Sequence, residues 1–209
     1  MLILRRVESF VLFVLSLGLL TCAAPMPLIT GQKSGMLHAL AVRGHSDGAG
    51  DTMILLGAIV DLKAKMTARA DMIVKVKEDA LDEAQTEINN LVADIVLCAN
   101  TIASLKNLNV NAKLKTTIAA HILVTIKTII KIWVSLTVKF GIQVFLDVFA
   151  KLDLCLKLLL RGLDVCMDGF LIVLGELLVE ADLKALAETK LTICHDLFIL
   201  VRAAIGITT

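Results

Sequence analysis

From Asp51 to Thr209 the sequence contains no proline, and glycine occurs there only at positions 57, 141, 162, 169, 175 and 206. Sheets and barrels need frequent turn residues, whereas so long a stretch without helix breakers permits a small number of long helices. The apolar spacing agrees. Leu55, Ile59, Leu62 and Met66 open it, and after a polar stretch at 75–79 a series in steps of three and four runs through Leu81, Ala84, Ile88, Leu91, Ile95, Cys98, Ile102 and Leu105. Asn107, Asn109 and Asn111 mark a turn.

The segment Ala112 to Lys139 keeps a narrow polar stripe through Lys113, Thr117, Thr128, Lys131, Ser135 and Lys139. Its end, from Ile132 to Phe140, alternates with a strand's period of two and is rich in β-branched residues. Helix is still the expectation, because a lone strand among helices has no partner for its backbone. Gly141 is the expected break. Beyond it Phe145, Phe149, Leu152, Leu156, Leu159, Leu163, Cys166, Phe170, Val173 and Leu177 predict one continuous amphipathic helix. Asp147, Lys151, Lys157, Arg161, Asp164 and Asp168 form its polar face, with Asp153 read as an exposed partner of Lys157. A final helix is expected over 182–205. The fold class is therefore all-α: an antiparallel bundle of four or more long amphipathic helices over residues 51–209.

The N-terminus reads differently. Met1 to Arg6 is a basic start, Phe10 to Leu20 is apolar apart from Ser16 and Gly18, and Thr21-Cys22-Ala23-Ala24 supplies small residues. This order is that of a secretory signal peptide, here residues 1–23, and it places the protein outside the cell. Retention as an anchor is disfavoured by Pro25 and Pro27, which interrupt the apolar run. Residues 24–50 form an expected flexible leader. Cleavage leaves Cys98, Cys155, Cys166 and Cys194, an even number that in an oxidising compartment points to two disulfides. Cys155 and Cys166 are eleven residues apart on one helix, about 16 Å along its axis, and cannot pair. The expected bridges are Cys166 with Cys194 and, by elimination, Cys98 with Cys155.

The chain has 21 basic and 20 acidic residues, so no net field attracts nucleic acid, and 4% aromatic residues offer no base-stacking platform. With 57% hydrophobic residues, extended disorder is excluded as well. The longest runs in the body free of Asp, Glu, Lys and Arg, Ile95 to Leu105 and Thr116 to Ile126, are eleven residues each. Neither spans a bilayer, and Lys127, Lys131 and Lys139 would be costly in hydrocarbon, so a soluble or peripheral bundle is expected.

Motifs for catalysis are absent from this reading. Cys194-His195-Asp196 holds nucleophile, base and acid types, yet neighbours on a helix point about 100° apart and do not assemble a triad. His38, His45 and His121 lack zinc-site spacing, and Gly44 to Gly50 lacks the Gly-Lys-Ser/Thr ending of a phosphate loop. No metal, cofactor or enzymatic activity is expected.

What remains is an excess of apolar surface. It is either core, with self-association as an outlet, or it meets a lipid, an apolar surface or a hydrophobic small molecule. Trp133, Phe140, Phe145 and Phe149 cluster in sequence around Gly141 and form the candidate contact site. The alternative is a pore-forming, toxin-like protein that inserts its helices into membranes. In layout alone, a signal segment, an Ala-Pro start and proline-free helices, the chain resembles small secreted fungal proteins that bind hydrophobic surfaces. No residue motif carries that likeness, and the chain is not assigned to that family.

Overall fold

The computed structural model describes residues 48–105 and 107–207; the expected signal peptide and nearly all of the expected leader lie outside them. The described residues are all-helical. Four long helices come first: α1 (Gly48–Lys75), α2 (Leu81–Ala103), α3 (Ala112–Phe140) and α4 (Leu146–Cys166). Three short ones follow: α5 (Phe170–Leu177), α6 (Glu180–Glu188) and α7 (Thr192–Ala204).

The third long helix starts and stops for local reasons. Asn111 caps α3, its side chain accepting from the Leu114 N–H at 2.9 Å. Gly141, at φ 82°, ends α3, and a single 3-10 turn at Gln143–Phe145 leads into α4. The alternating segment 132–140 is helical, as expected from its helical neighbours. The last carbonyls of α1 are satisfied from another element: the Lys139 ammonium donates to the Val74 and Val76 carbonyls at 2.5 and 2.6 Å. This contact also joins the end of α3 to the end of α1, so those two helices run parallel.

The packing follows from that pairing. α1 lies between α3 and α2, and α2 lies between α1 and α4. Successive helices are antiparallel, but the most extensive contacts are between parallel neighbours, α1 with α3 and α2 with α4. A Cβ on Gly162 would stand 3.6 Å from the Ile102 side chain, which puts the ends of α2 and α4 level. α3 and α4 meet at their shared turn, where the Trp133 and Phe149 rings pack edge to face at 4.2 Å. Farther along, α5, α6 and α7 occupy the space between them. The core is the rows of isoleucine, leucine and phenylalanine turned inward by all of these helices.

Three expectations are corrected. The helix expected over 145–177 stops at Cys166; Gly169, at φ 71°, turns the chain and α5 begins anew. It does run unbroken through Gly162, as the spacing implied. The helix expected over 182–205 is two helices. Lys190 takes the left-handed conformation at φ 60°, and the Lys190 and Leu191 N–H groups close back on the Ala187 and Leu186 carbonyls, a Schellman ending without glycine.

These breaks remove the expected disulfides. Cys98, Cys155, Cys166 and Cys194 are all buried free thiols, and no pair is at bonding distance. A continuous hairpin would have set Cys194 level with Cys166. Instead the two breaks seat Cys194 against Asp153, thirteen positions before Cys166, or about 20 Å along α4. The Cys98 thiol turns away from α4 and donates to the Ala58 carbonyl on α1 at 3.7 Å.

Candidate functional site

The sequence singled out Trp133, Phe140, Phe145 and Phe149, and the structure joins them in two pairs near the Gly141 end of the bundle. Trp133 meets Phe149, and Phe140 meets Phe145 with ring centroids 5.8 Å apart. Their placement differs from an open contact site. Trp133, Phe145 and Phe149 are buried, and Phe140 is half-buried. The aromatic rings hold the turn together from inside.

The apolar surface at this end is made by other residues. Val134 and Val138, one turn apart on the outer face of α3, are exposed, Val138 by 81%. Ile142 and Val144 continue the exposure past Gly141, and Met72 and Val74 add to it from α1, whose end Lys139 holds alongside. Lys75, Lys77, Glu78 and Asp79, all exposed, border the α1–α2 turn in a balanced set of signs. An apolar patch bordered by charges of both signs attracts chiefly by removal of apolar area from water. The spacing of Val134 and Val138 was visible in the sequence within the alternating segment, but it read as strand-like ambiguity rather than as surface.

The remaining chemistry-bearing groups are engaged structurally. Cys194 is fully buried and donates its S–H to the Asp153 carbonyl oxygen at 3.5 Å, facing away from any reactant. Its neighbours His195 and Asp196 meet each other at 3.2 Å on the surface, so the three types form no triad. His121 sits partly buried on α3, where burial and the nearby Lys63 ammonium hold its pKa below the usual imidazole value. His38 and His45 lie outside the described residues. Among the described residues no group of three His, Cys, Asp or Glu side chains is placed to hold a metal ion.

Burial pushes all four thiols up, the Cys98 thiol to about 12, with the Asp61 carboxylate adding to its shift. The expected consequence is that the folded protein resists a thiol reagent at pH 8 at all four of these positions, and that denaturant makes all four reactive. Disulfide-linked peptides in a non-reducing map would contradict it.

Ionic contacts gather on the seam between α1 and α2. Arg69 bonds Asp94 at 2.5 Å and Glu87 at 2.9 Å, and Lys65 bonds Asp61 at 2.8 Å. A crevice of about 110 Å³ opens beside this seam, lined by Asp61, Lys65, Asp94, Leu97, Cys98 and Thr101. It is too small for an organic substrate. A second groove of about 460 Å³ at the α1–α2 turn, with Met72, Val76 and Ala80 among lysines and glutamates, is open and adjoins the apolar end.

Asp153 was misread from the sequence as an exposed helix-face residue. It is only 1% exposed, and its carboxylate accepts from the Ile193 N–H at 2.7 Å and the Cys194 N–H at 3.0 Å. These are orphan donors in the first turn of α7, whose own N-cap, Leu191, supplies no acceptor. Asp164, also assigned to the solvated face, accepts from the Leu171 N–H of α5 at 3.0 Å. Two aspartates of α4 thus seat the starts of two later helices.

Comparison with protein-family models, curated proteins and solved structures returns no match.

Proposed function

We propose that this is a secreted, non-enzymatic helical protein that binds apolar surfaces or lipids through the Gly141 end of its bundle. The observation that carries the reading is the exposed run Val134, Val138, Ile142 and Val144, standing on a buried aromatic brace that keeps the turn rigid. Burying a valine side chain is worth roughly 1.5 kcal/mol or more, so a few such residues suffice for adsorption without unfolding.

Insertion across a membrane is the second reading, and one observation favours it: α3, at 29 residues, is long and apolar enough to span. Against it stand the engagements of its lysines. Lys115 donates to the Asp168 carbonyl, Lys127 pairs with Asp182 at 3.2 Å, and Lys139 caps α1, so insertion must break all three and bring charge into hydrocarbon. Surface binding by the folded bundle needs neither.

The test is the double variant Val134→Glu with Val138→Glu. Both side chains face solvent, so helicity should persist, while adsorption to zwitterionic vesicles should fall at least tenfold. Unchanged adsorption with an intact helical spectrum removes this end as the contact surface. Release of dye from loaded vesicles by the unaltered protein would favour insertion instead.

A further inference from the structure

The charges of the chain nearly cancel in sum, yet its helices do not share them evenly. α3 holds five lysines and no aspartate or glutamate, whereas α2 holds four acidic residues and no lysine or arginine. α1 lies between the two. Its Arg69 turns toward α2, where it meets Glu87 and Asp94, so the cations of α3 stand on the other flank of α1 from the acidic helix.

The outward face of α3 concentrates this charge. Its exposed positions recur at 113, 117, 120, 124, 127, 131, 134 and 138, alternating steps of four and three that keep one line along the helix for about 37 Å. Lys113, Lys127 and Lys131 stand on that line with Ala120, Val124, Val134 and Val138 between and beyond them. Lys127 meets Asp182 of α6 at 3.2 Å but keeps 50% of its side chain in solvent. Lys113 and Lys131 are exposed and pair with no carboxylate among the described residues.

What the line fits follows from where its charges stand. In a seam between two protein helices the three-four line is apolar and charges flank it. Here lysines occupy the line itself, so a close-packed partner helix would bury them, and a second copy of the chain would set lysine against lysine. A bilayer with anionic headgroups accommodates both kinds of residue. Lysine stems lie along apolar surface while their ammonium groups reach the phosphates, and the valines enter the boundary between headgroups and acyl chains.

We propose that the outward face of α3 docks the folded bundle on an anionic phospholipid surface, with the helix lying in the plane of the membrane and its lysines on the headgroups. The proposal rests on the apolar-surface reading above for the part played by Val134 and Val138; its lysines are tested apart from it.

The test is co-sedimentation of the full chain with vesicles of phosphatidylcholine alone and of phosphatidylcholine mixed with phosphatidylserine. A lysine near an anionic surface is worth about fivefold in binding, so the mixed vesicles should bind at least about tenfold more tightly at low salt. Molar salt should remove that advantage and leave the phosphatidylcholine level. Lys113→Gln with Lys131→Gln, at exposed positions where glutamine keeps the helix, should weaken binding to the mixed vesicles by more than about tenfold and leave binding to phosphatidylcholine as it was. Arg161→Gln with Lys184→Gln removes as much charge from α4 and α6, and should change the advantage by less than about twofold. Equal binding to both vesicles, or equal losses in the two double variants, overturns the proposal while the apolar reading stands. Binding to the mixed vesicles alone, lost when Lys113 and Lys131 are replaced, upholds the lysine face and removes the apolar reading instead.

Discussion

Asp153→Ala is expected to cost about 3 kcal/mol of unfolding free energy, read from urea denaturation. The carboxylate is nearly inaccessible and serves two N–H groups, of Ile193 and Cys194, at the start of α7. Alanine leaves both donors without an acceptor, and a buried orphan donor costs about 1–3 kcal/mol. The favourable interaction of a negative charge with the helix N-terminus disappears as well. Recovery of the desolvation cost of the carboxylate offsets part of this, which is why the sum stays near one orphan's upper value rather than two. Asp153→Asn retains one acceptor oxygen, so a smaller loss of roughly 1–2 kcal/mol is expected. A change below about 0.5 kcal/mol for the alanine variant would mean that α7 finds its acceptors elsewhere.

Phe149→Ala is expected to cost more, about 3–5 kcal/mol, the usual range for removing a buried phenylalanine. Phe149 is 1% exposed and supports Trp133 edge to face, and this pair is the contact that closes α3 against α4 at the Gly141 end. Phe140→Ala, at a half-buried position whose neighbour Phe145 can relax toward it, should cost less than half as much. The contrast is measured by thermal unfolding of the two variants side by side. Equal losses would mean that the aromatic residues form one undifferentiated cluster rather than an inner brace and an outer rim. A serine at position 145, which would test the aromatic residues as a contact surface, instead puts a small polar side chain into a fully buried place and confounds binding with folding.

The sequence made α3 readable because both of its ends carry a local signal. Asn111 caps, Gly141 takes a positive φ, and the apolar steps between them fall on inward faces. The C-terminal third was less readable for two separate reasons. Asp168-Gly169 is a turn dipeptide that the three-four spacing of Cys166, Phe170 and Val173 overrode, although an apolar period can continue by coincidence across a break. The stop at Lys190 had no such signal. A lysine in the left-handed conformation is held there by Schellman bonds and by the burial of Leu191 and Thr189, which are tertiary in origin. Once those breaks were missed, the hairpin register failed, and with it the cysteine pairing.

The candidate site was half legible for a similar reason. Composition and the cluster around Gly141 pointed to the end of the bundle where the aromatic residues pair, because aromatic residues gather where helices turn over a core. Which of those side chains face outward depends on the parallel packing of α1 beside α3, fixed by Lys139 reaching Val74 and Val76 across more than sixty positions of sequence. No local pattern encodes that reach. The same holds for Asp153, whose partners lie 40 and 41 residues away.

The central claim is that the folded bundle binds apolar surfaces by its exposed apolar Gly141 end. Its most direct test is co-sedimentation of the protein with zwitterionic vesicles at low and at molar salt, with circular dichroism recorded on the bound fraction. Because the contact is made by apolar side chains, the expected result is binding of unchanged helical protein at both salt concentrations, no weaker in molar salt. Absence of binding at either concentration, or binding that salt abolishes, would contradict the account.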